Sequence, residues 1–340
     1  AHTGAGRFAG AMRGLRACLI SSMRGVMSKG PKPAKAQPDI ASANIVPDSE
    51  ARGLVARLPA LPRNLALLAR FDRPIGWWLL FWPGAWAIAL SGRAVAQWDM
   101  LLWFLLGSIA MRGAGCVYND IVDRDLDRQV ARTATRPLAS GAVSLRMAWG
   151  WLAMLSLVGL VVLVQLRPLA QGVALASLAL VAAYPFMKRI TWWPQAWLGL
   201  VFSWAALVGW VQMTGGLGAA GLMLYAGSIF WVIGYDSIYA LQDREDDALV
   251  GIRSSALAMG AHVRGGVGLC YCLAIALWAG AIWLARPLAL ALLALLPVAV
   301  HLIWQVATLR EDGTDPLTKF RANRFAGLLM FLACLTVGSS

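Results

Sequence analysis

The chain has 340 residues, of which 59% are hydrophobic and 14% are charged, and its formal net charge is +13. A soluble domain carries roughly 25% charged residues, so the composition excludes an ordinary soluble protein and indicates an integral membrane protein. The five cysteines form no paired framework and are typical of buried thiols, and the three histidines are too scattered to predict a metal site.

Residues 1–50 differ in composition from the rest of the chain. Seven Lys and Arg and no acidic residue precede Asp39, a pattern that resembles a mitochondrial transit peptide. A disordered basic tail is the alternative. The high ratio of Arg to Lys, 25 to 5, is typical of a GC-rich bacterial genome. We therefore expect a bacterial inner membrane protein, with the mitochondrial inner membrane as the alternative, and one transmembrane domain over residues 65–340.

Nine apolar runs follow, each near the ~20 residues that a membrane-spanning helix needs. The alternating segments of a membrane barrel are absent from the sequence. An all-α integral membrane protein with about nine transmembrane helices is therefore predicted. The runs lie at residues 75–92, 99–118, 147–165, 169–187, 194–213, 219–240, 264–284, 287–307 and 322–338.

Basic residues are distributed unequally between the two sides of this bundle. Alternate connections carry nineteen Lys and Arg on one side and three on the other. The positive-inside rule then places the N-terminus on the cytoplasmic or matrix side. The net positive charge thus reflects topology and contact with anionic lipid, and we expect no nucleic-acid partner.

A first acidic cluster stands at the end of the second predicted helix. Carboxylates beside hydrocarbon are costly and persist only with partners, so they are functional candidates by default. At the helical period Asn119, Asp120, Asp123 and Asp127 share an arc of roughly 100°, while Asp125 points the opposite way.

A second cluster stands at the end of the sixth predicted helix. There Asp236, Asp243 and Asp247 share an arc of about 40° with Tyr239 beside them, and Glu245 faces away. Both clusters repeat an aspartate after seven residues. This weak internal repeat predicts two similar half-bundles that face each other over one cavity.

Carboxylates mixed with basic residues indicate divalent cations bound together with a polyphosphate. Mg²⁺ prefers oxygen ligands and is often held by one or two carboxylates plus substrate phosphates, and guanidinium groups bind phosphate bidentately. Ordinary positive-inside residues are the alternative reading of these bases. The candidates for the phosphate site are Arg132, Arg136, Lys188, Arg189 and Arg253.

Two further arginines lie within reach of such a cavity. Arg112 lies two turns before Asp120 on the same face, inside an apolar run, and an arginine there needs an anionic partner. That partner is either the first cluster or an acidic substrate. Arg73, in the segment 70–76, is a further candidate for substrate binding.

These motifs resemble the UbiA superfamily of intramembrane prenyltransferases. The stretch Asn119-Asp120-x-x-Asp123-x-x-x-Asp127, followed by Arg132-Thr133-x-x-Arg136-Pro137-Leu138, is similar to the first signature of that family, and residues 236–247 are similar to the second. Further stretches resemble its 4-hydroxybenzoate polyprenyltransferase branch. They are residues 72–76 (DRPIG), 111–116 (MRGAGC), 184–189 (YPFMKR) and 234–240 (GYDSIYA).

The resemblance implies a central cavity, dependence on Mg²⁺, and transfer of a polyprenyl group from its diphosphate to 4-hydroxybenzoate in ubiquinone biosynthesis. It implies diphosphate binding by Arg132, Arg136 and Lys188 and acceptor binding by Arg112. It also implies active-site roles for Asn119 and Arg189 beside Asp123 and Asp243. The implied metal ligands are Asp120, Asp123, Asp127, Asp236, Asp243 and Asp247.

Two kinds of alternative remain open at this stage. Within the family, related enzymes prenylate homogentisate, naphthoate or haem instead. Outside it, an ion-coupled membrane transporter would also use carboxylates, but near the bilayer midplane rather than at helix ends. The expected partners are polyprenyl diphosphate, 4-hydroxybenzoate and membrane lipid.

Overall fold

The computed structural model describes residues 49–50, 52–129, 133–244 and 253–339, apart from the side chains of residues 52 and 243. This part of the chain is helical and contains no strand, which confirms the predicted all-α class. Short 3-10 segments connect some helices, at Ala240–Asp243, Gly260–His262 and Ala289–Leu295. The helices are α1 (Arg52–Ala56), α2 (Ala60–Leu68), α3 (Ile75–Leu90), α4 (Trp98–Val122), α5 (Arg124–Asp127), α6 (Leu145–Leu163), α7 (Pro168–Ile190), α8 (Pro194–Thr214), α9 (Ala219–Tyr239), α10 (Ser255–Met259), α11 (Val263–Ala285), α12 (Leu296–Ala307) and α13 (Asp315–Ser339).

Each predicted apolar run coincides with a helical segment of the described chain. Eight of these segments are long and apolar enough to cross a membrane, and the ninth, α3, is apolar but has only 16 residues. A hydrocarbon core offers no partners to free backbone groups, which is why such runs form helices. The protein is therefore a multi-pass membrane protein, and the side on which its N-terminus lies stays a prediction.

Close packing of small residues and tryptophans holds the centre of the bundle together. A Cβ atom on Gly209 of α8 would lie 2.8 Å from the carbonyl oxygen of Gly84 in α3, so only glycine permits this approach. Nearby, the fully buried rings of Trp86, Trp231 and Trp278 lie with their centroids 5.0 to 6.2 Å apart. These contacts fix α3 against α8, α9 and α11.

Local sequence signals explain where the helices that carry the site begin and end. Pro168 opens α7 at a position where its missing N–H is not needed. Gly215 ends α8 in the left-handed conformation with φ of +83°. The end of α7 carries Lys188 and Arg189, and the end of α4 carries the first acidic cluster.

Candidate active site

A cavity of about 670 Å³ lies between α3, α4, α6, α7, α8, α9 and α13. Asp120 from the first acidic cluster and Asp236 from the second both line it. This confirms, for these two residues, the prediction that the clusters share one cavity. Most of the remaining wall is apolar and includes Leu163 of α6, Leu178 of α7 and Phe202 of α8. The cavity thus joins a charged end to an apolar body.

Asp120 is buried and bonded to two arginines. Both of its oxygens accept hydrogen bonds from Arg70 Nη2, at 3.0 and 3.1 Å, and Oδ1 also accepts from Arg136 Nη1 at 3.2 Å. Only 2% of Asp120 is exposed. Charge-assisted bonds of this kind are about twice as strong as neutral ones, so Arg70 and Arg136 hold this carboxylate firmly in position.

Arg70 reaches Asp120 because of the way α2 ends. The N–H of Phe71 donates to Ala66 O and the N–H of Arg70 to Leu67 O, which is the Schellman arrangement of a helix C-terminus. Its left-handed position is usually glycine, but here Arg70 takes it with φ of +58°. A left-handed non-glycine residue costs roughly 1–2 kcal/mol. The ion pair with Asp120 offsets this strain.

Asp123 is completely buried and bonded to three side chains. Asn119 Nδ2 donates to Oδ2 at 3.1 Å, Arg189 Nη2 donates to Oδ1 at 2.9 Å, and Lys188 Nζ is paired with Oδ2. Lys188 and Arg189 come from the last turn of α7. The first acidic cluster therefore ties the end of α4 to the end of α7, as expected of a site built from both.

Asp127 completes the cluster on the short helix α5. Its Oδ2 accepts from Arg136 Nη1 at 2.8 Å. Burial raises the pKa of the Asp127 carboxyl above its usual value, Arg136 opposes this shift, and the neighbouring carboxylates of Asp120 and Asp123 add to it. A further cation near Asp127 would favour its ionised form.

The carboxylates that share a face at the helical period are the buried ones, although the helix that carries them is not continuous. Asp120, Asp123 and Asp127 are buried, whereas the Asp125 side chain is 87% exposed and pairs with Arg128. In the structure α4 ends at Val122, and Asp123 separates it from α5. The backbone bond from Asp127 N to Asp123 O keeps the helical spacing across the break.

The second cluster is described only in part. Asp236 and Tyr239 line the cavity, and the Tyr239 ring lies 4.6 Å from that of Phe320 in α13. Here too the helix is interrupted within the cluster, since α9 ends at Tyr239 and a 3-10 segment follows. The side chain of Asp243 and all of Arg132 and Asp247 lie outside the described residues, and their predicted roles stay predictions.

The other predicted bases are divided between the cavity and its surroundings. Arg73 lines the cavity and contacts Asp72 at 3.4 Å. Arg253 instead donates to the carbonyl oxygen of Ile190 at 2.7 Å and lies over the Trp192 ring, outside the residues that line the cavity. The structure therefore places Arg253 beside the end of α7 rather than in the cavity wall.

Arg112 lines the cavity without a carboxylate partner in the described chain. Its Nη1 donates to Cys116 Sγ at 2.8 Å, and its guanidinium lies 5.4 Å from the centre of the Phe202 ring. The buried Nε–H has no hydrogen-bond partner among the residues the structure covers. A cation in this position is prepared for an anionic ligand.

The cavity is also lined by Arg70, Tyr184 and Tyr235, for which the sequence predicts no individual role. Arg70 lay in a segment that was singled out, but its bond to Asp120 depends on an unusual helix end. For the two tyrosines the only sequence signal was their place within the family-like stretches around Lys188 and Asp236.

The donor chemistry of the first cluster fits Mg²⁺ held together with a phosphate ligand. In the described ranges no group of three His, Cys, Asp or Glu side chains gathers closely enough to hold a metal ion, and each carboxylate of the cluster bonds to Arg or Lys. Mg²⁺, however, usually takes only one or two carboxylates plus substrate phosphates. The residues present fit that arrangement better than an all-protein metal cage.

The apolar helices of the described chain, with a cavity that has acidic and basic residues at one end, define a polytopic membrane protein with an intramembrane site. Residues 80–335 match the UbiA prenyltransferase family, and the chain belongs to that family. It is 42% identical over 292 residues to the 4-hydroxybenzoate polyprenyltransferase, mitochondrial, of Drosophila pseudoobscura pseudoobscura, an alignment that covers 84% of this chain and 74% of that protein.

Solved structures show the same fold. The apo structure of a UbiA homolog from Aeropyrum pernix K1 superposes with a TM-score of 0.63 at 25% sequence identity, covering 76% of this chain and 97% of that one. A UbiA homolog from Archaeoglobus fulgidus bound to GPP and Mg²⁺ gives a TM-score of 0.58 at 17% identity, covering 82% of this chain and 100% of that one. At that identity the second likeness concerns the fold alone.

Proposed function

We propose that this protein transfers a polyprenyl group from polyprenyl diphosphate to the ring carbon ortho to the hydroxyl of 4-hydroxybenzoate, with Mg²⁺, in ubiquinone biosynthesis. One observation carries the proposal: a charged end rich in both carboxylates and bases opens into an apolar cavity that also holds Arg112, which has no carboxylate partner among the described residues. The name of the Drosophila relative supports the choice of acceptor.

The reaction needs no nucleophilic side chain. The bond between the allylic carbon and the diphosphate oxygen breaks, and its electron pair leaves with the diphosphate. The electron-rich phenol ring attacks the allylic cation to form a carbon–carbon bond, and the ring proton then leaves. The protein binds, orients and stabilises charge, and a cavity with little water protects the cation from hydrolysis.

The ion pairs of the first cluster can be exchanged for substrate contacts. When bound, Mg²⁺ supplies positive charge that stabilises the leaving diphosphate. The residues that would hold it are Asp120, Asp123, Asp127, Asp236, Asp243 and Asp247. The bases now paired with these carboxylates would then bind the diphosphate oxygens. Arg132, Arg136, Lys188 and Arg189 were predicted for this role, and the contact of Arg70 with Asp120 adds Arg70 to the set.

Arg112 is proposed to bind the acceptor carboxylate. It lies eight residues before Asp120 on α4, or about 12 Å along the helix axis, which leaves room for the reacting carbons between them. A guanidinium group binds a carboxylate through up to two parallel hydrogen bonds. This would hold the opposite end of the ring, with its phenolic oxygen, toward the charged end of the cavity.

Gly76 provides a test of the acceptor site. A Cβ atom at Gly76 would lie 2.9 Å from Arg112 Nε, so Gly76→Ala should displace the guanidinium. Forcing a side chain off its rotamer costs about 0.5–1.5 kcal/mol. We expect the KM for 4-hydroxybenzoate to rise about 2- to 10-fold in steady-state assays, and the KM for polyprenyl diphosphate to stay unchanged.

Gly172→Ala is the matched control, because an added Cβ there has no neighbour within 4 Å among the described residues. It should leave both KM values unchanged. If Gly76→Ala weakened the diphosphate substrate alone, Arg112 would belong to the phosphate site instead.

The choice of acceptor is tested by competition. Purified protein with Mg²⁺ and one polyprenyl diphosphate is offered 4-hydroxybenzoate, homogentisate and a hydroxynaphthoate together, and in a second assay haem. We expect the 4-hydroxybenzoate product to dominate. A preference for another acceptor would still be prenyl transfer, but it would show that 4-hydroxybenzoate is not the substrate. An ion-coupled transporter is disfavoured, because Asp120 lies in the last turn of α4 rather than near its middle.

The membrane in which the protein works is proposed from the relatives and from composition. Composition favoured the bacterial inner membrane, whereas the relative named as mitochondrial supports the mitochondrial inner membrane. The mitochondrial inner membrane is therefore the proposed location. The basic segment 1–50, predicted as a tail or transit-like segment before the domain at 65–340, lies outside the described residues except at 49–50.

A further inference from the structure

Tyr235 lines the cavity with a buried hydroxyl that has no hydrogen-bond partner among the described residues. Only 1% of the residue is exposed. A buried polar group left without a partner costs roughly 1–3 kcal/mol, and native proteins contain few of them. A group of this kind in a ligand cavity is most simply explained by a ligand that satisfies it.

The ring of Tyr235 is held in place from two sides. It meets Trp231 edge to face at a centroid distance of 4.9 Å and Phe320 of α13 at 5.8 Å. Trp231 is itself fixed, because its Nε1 donates to Asn323 Oδ1 at 2.9 Å. The hydroxyl is therefore a preorganised donor rather than a mobile one, and it would bind a ligand with little loss of side-chain entropy.

The same cavity contains a second donor, the Nε–H of Arg112, that has no partner within the part of the chain that the structure describes. A carboxylate carries only acceptors, with about four lone-pair positions on its two oxygens. One carboxylate can therefore satisfy both donors at once. The diphosphate end of the cavity, by contrast, already contains Arg70 and Arg136 as donors for phosphate oxygens.

We infer that the Tyr235 hydroxyl donates a hydrogen bond to the carboxylate of the aromatic acceptor, alongside Arg112, and helps to select carboxylate-bearing acceptors. This inference rests on the proposed function. A donor placed on the phenolic oxygen would instead withdraw electron density from the ring that must attack the allylic cation. A donor on the carboxylate holds the ring without opposing the reaction.

Tyr235→Phe tests the inference, because it removes the hydroxyl and keeps the ring that packs against Trp231 and Phe320. Loss of a hydrogen bond to a charged group should raise the KM for 4-hydroxybenzoate about 10-fold. The KM for polyprenyl diphosphate should not change. Tyr225→Phe is the control on the same helix, since Tyr225 donates to Leu200 O and does not line the cavity.

Two competitive inhibitors show which end of the acceptor Tyr235 contacts. Benzoate has the carboxylate and no hydroxyl, whereas phenol has the hydroxyl and no carboxylate. In Tyr235→Phe the inhibition constant of benzoate should rise about 10-fold, and that of phenol should stay the same. If the benzoate constant is unchanged, or if phenol alone is weakened, the inference is overturned.

Binding of benzoate measured by isothermal titration, which needs no turnover, separates this inference from the proposed function. Wild-type protein that binds benzoate but never prenylates 4-hydroxybenzoate would refute the proposed function, and the Tyr235 comparison would still be decided by the titration. Equal benzoate affinity in wild type and Tyr235→Phe would refute the inference even if 4-hydroxybenzoate is the substrate.

Discussion

Asp123→Asn should abolish most prenyl transfer while the protein remains folded. Asp123 is fully buried and joins Asn119 of α4 to Lys188 and Arg189 of α7, so its loss changes the charge at the centre of the cluster. Removing one preorganised electrostatic group typically lowers kcat roughly 10²- to 10³-fold. Asparagine keeps the size of the side chain, and gel filtration in detergent should show an unchanged elution volume.

The controls for this variant come from both clusters. Asp125→Asn should have little effect, because its side chain is exposed and its pair with Arg128 is a surface contact. The double variant Asp123→Asn with Asp243→Asn should be little worse than either alone, since residues that act as a unit are not additive. Equal losses at Asp125 and Asp123 would contradict the assignment of the cluster by burial.

Arg112→Ala should raise the KM for 4-hydroxybenzoate by about one to two orders of magnitude. The expected loss is that of a charge-assisted hydrogen bond, roughly 1.5–3 kcal/mol. The KM for polyprenyl diphosphate should change much less, because Arg112 makes no ion pair with the described carboxylates of the diphosphate end. Steady-state kinetics with each substrate varied in turn separate the two constants.

Arg136→Ala is the counterpart and should show the reverse pattern. Arg136 bridges Asp120 and Asp127, so its loss should mainly raise the KM for the diphosphate. Arg112→Lys keeps the charge but loses the planar pair of donors and should recover only part of the acceptor binding. An Arg112→Ala variant that lost affinity for the diphosphate alone would move Arg112 to the phosphate site.

The fold class could be predicted from sequence because a long apolar run has few structural options in a membrane. The boundaries were less predictable where charged residues are buried by tertiary contacts. Helix α13 begins at Asp315, seven residues before the predicted run, and contains Lys319. That lysine is buried because its Nζ lies over the Trp304 ring at 3.6 Å and donates to Thr308 at 2.5 Å.

The candidate site was predictable to the extent that it depends on local spacing. The helical period alone predicts that Asp125 points away from Asp123. The structure agrees, because Asp123 is buried and Asp125 is exposed. The bond of Arg70 to Asp120 spans fifty residues and needs a left-handed arginine where glycine is usual, so spacing could not indicate it. The sequence also could not indicate that the Tyr235 hydroxyl lacks a hydrogen-bond partner among the described residues, because this depends on how the neighbouring helices pack.

The most direct test uses purified protein, Mg²⁺, a polyprenyl diphosphate and 4-hydroxybenzoate that carries deuterium at every ring position. Mass spectrometry and NMR should show one polyprenyl group on the carbon ortho to the hydroxyl, with one deuterium lost and the carboxylate retained. Chelation of Mg²⁺ should abolish the product. A folded protein that forms no such product, that attaches the polyprenyl group to oxygen, or that turns over fully in chelator would contradict the account.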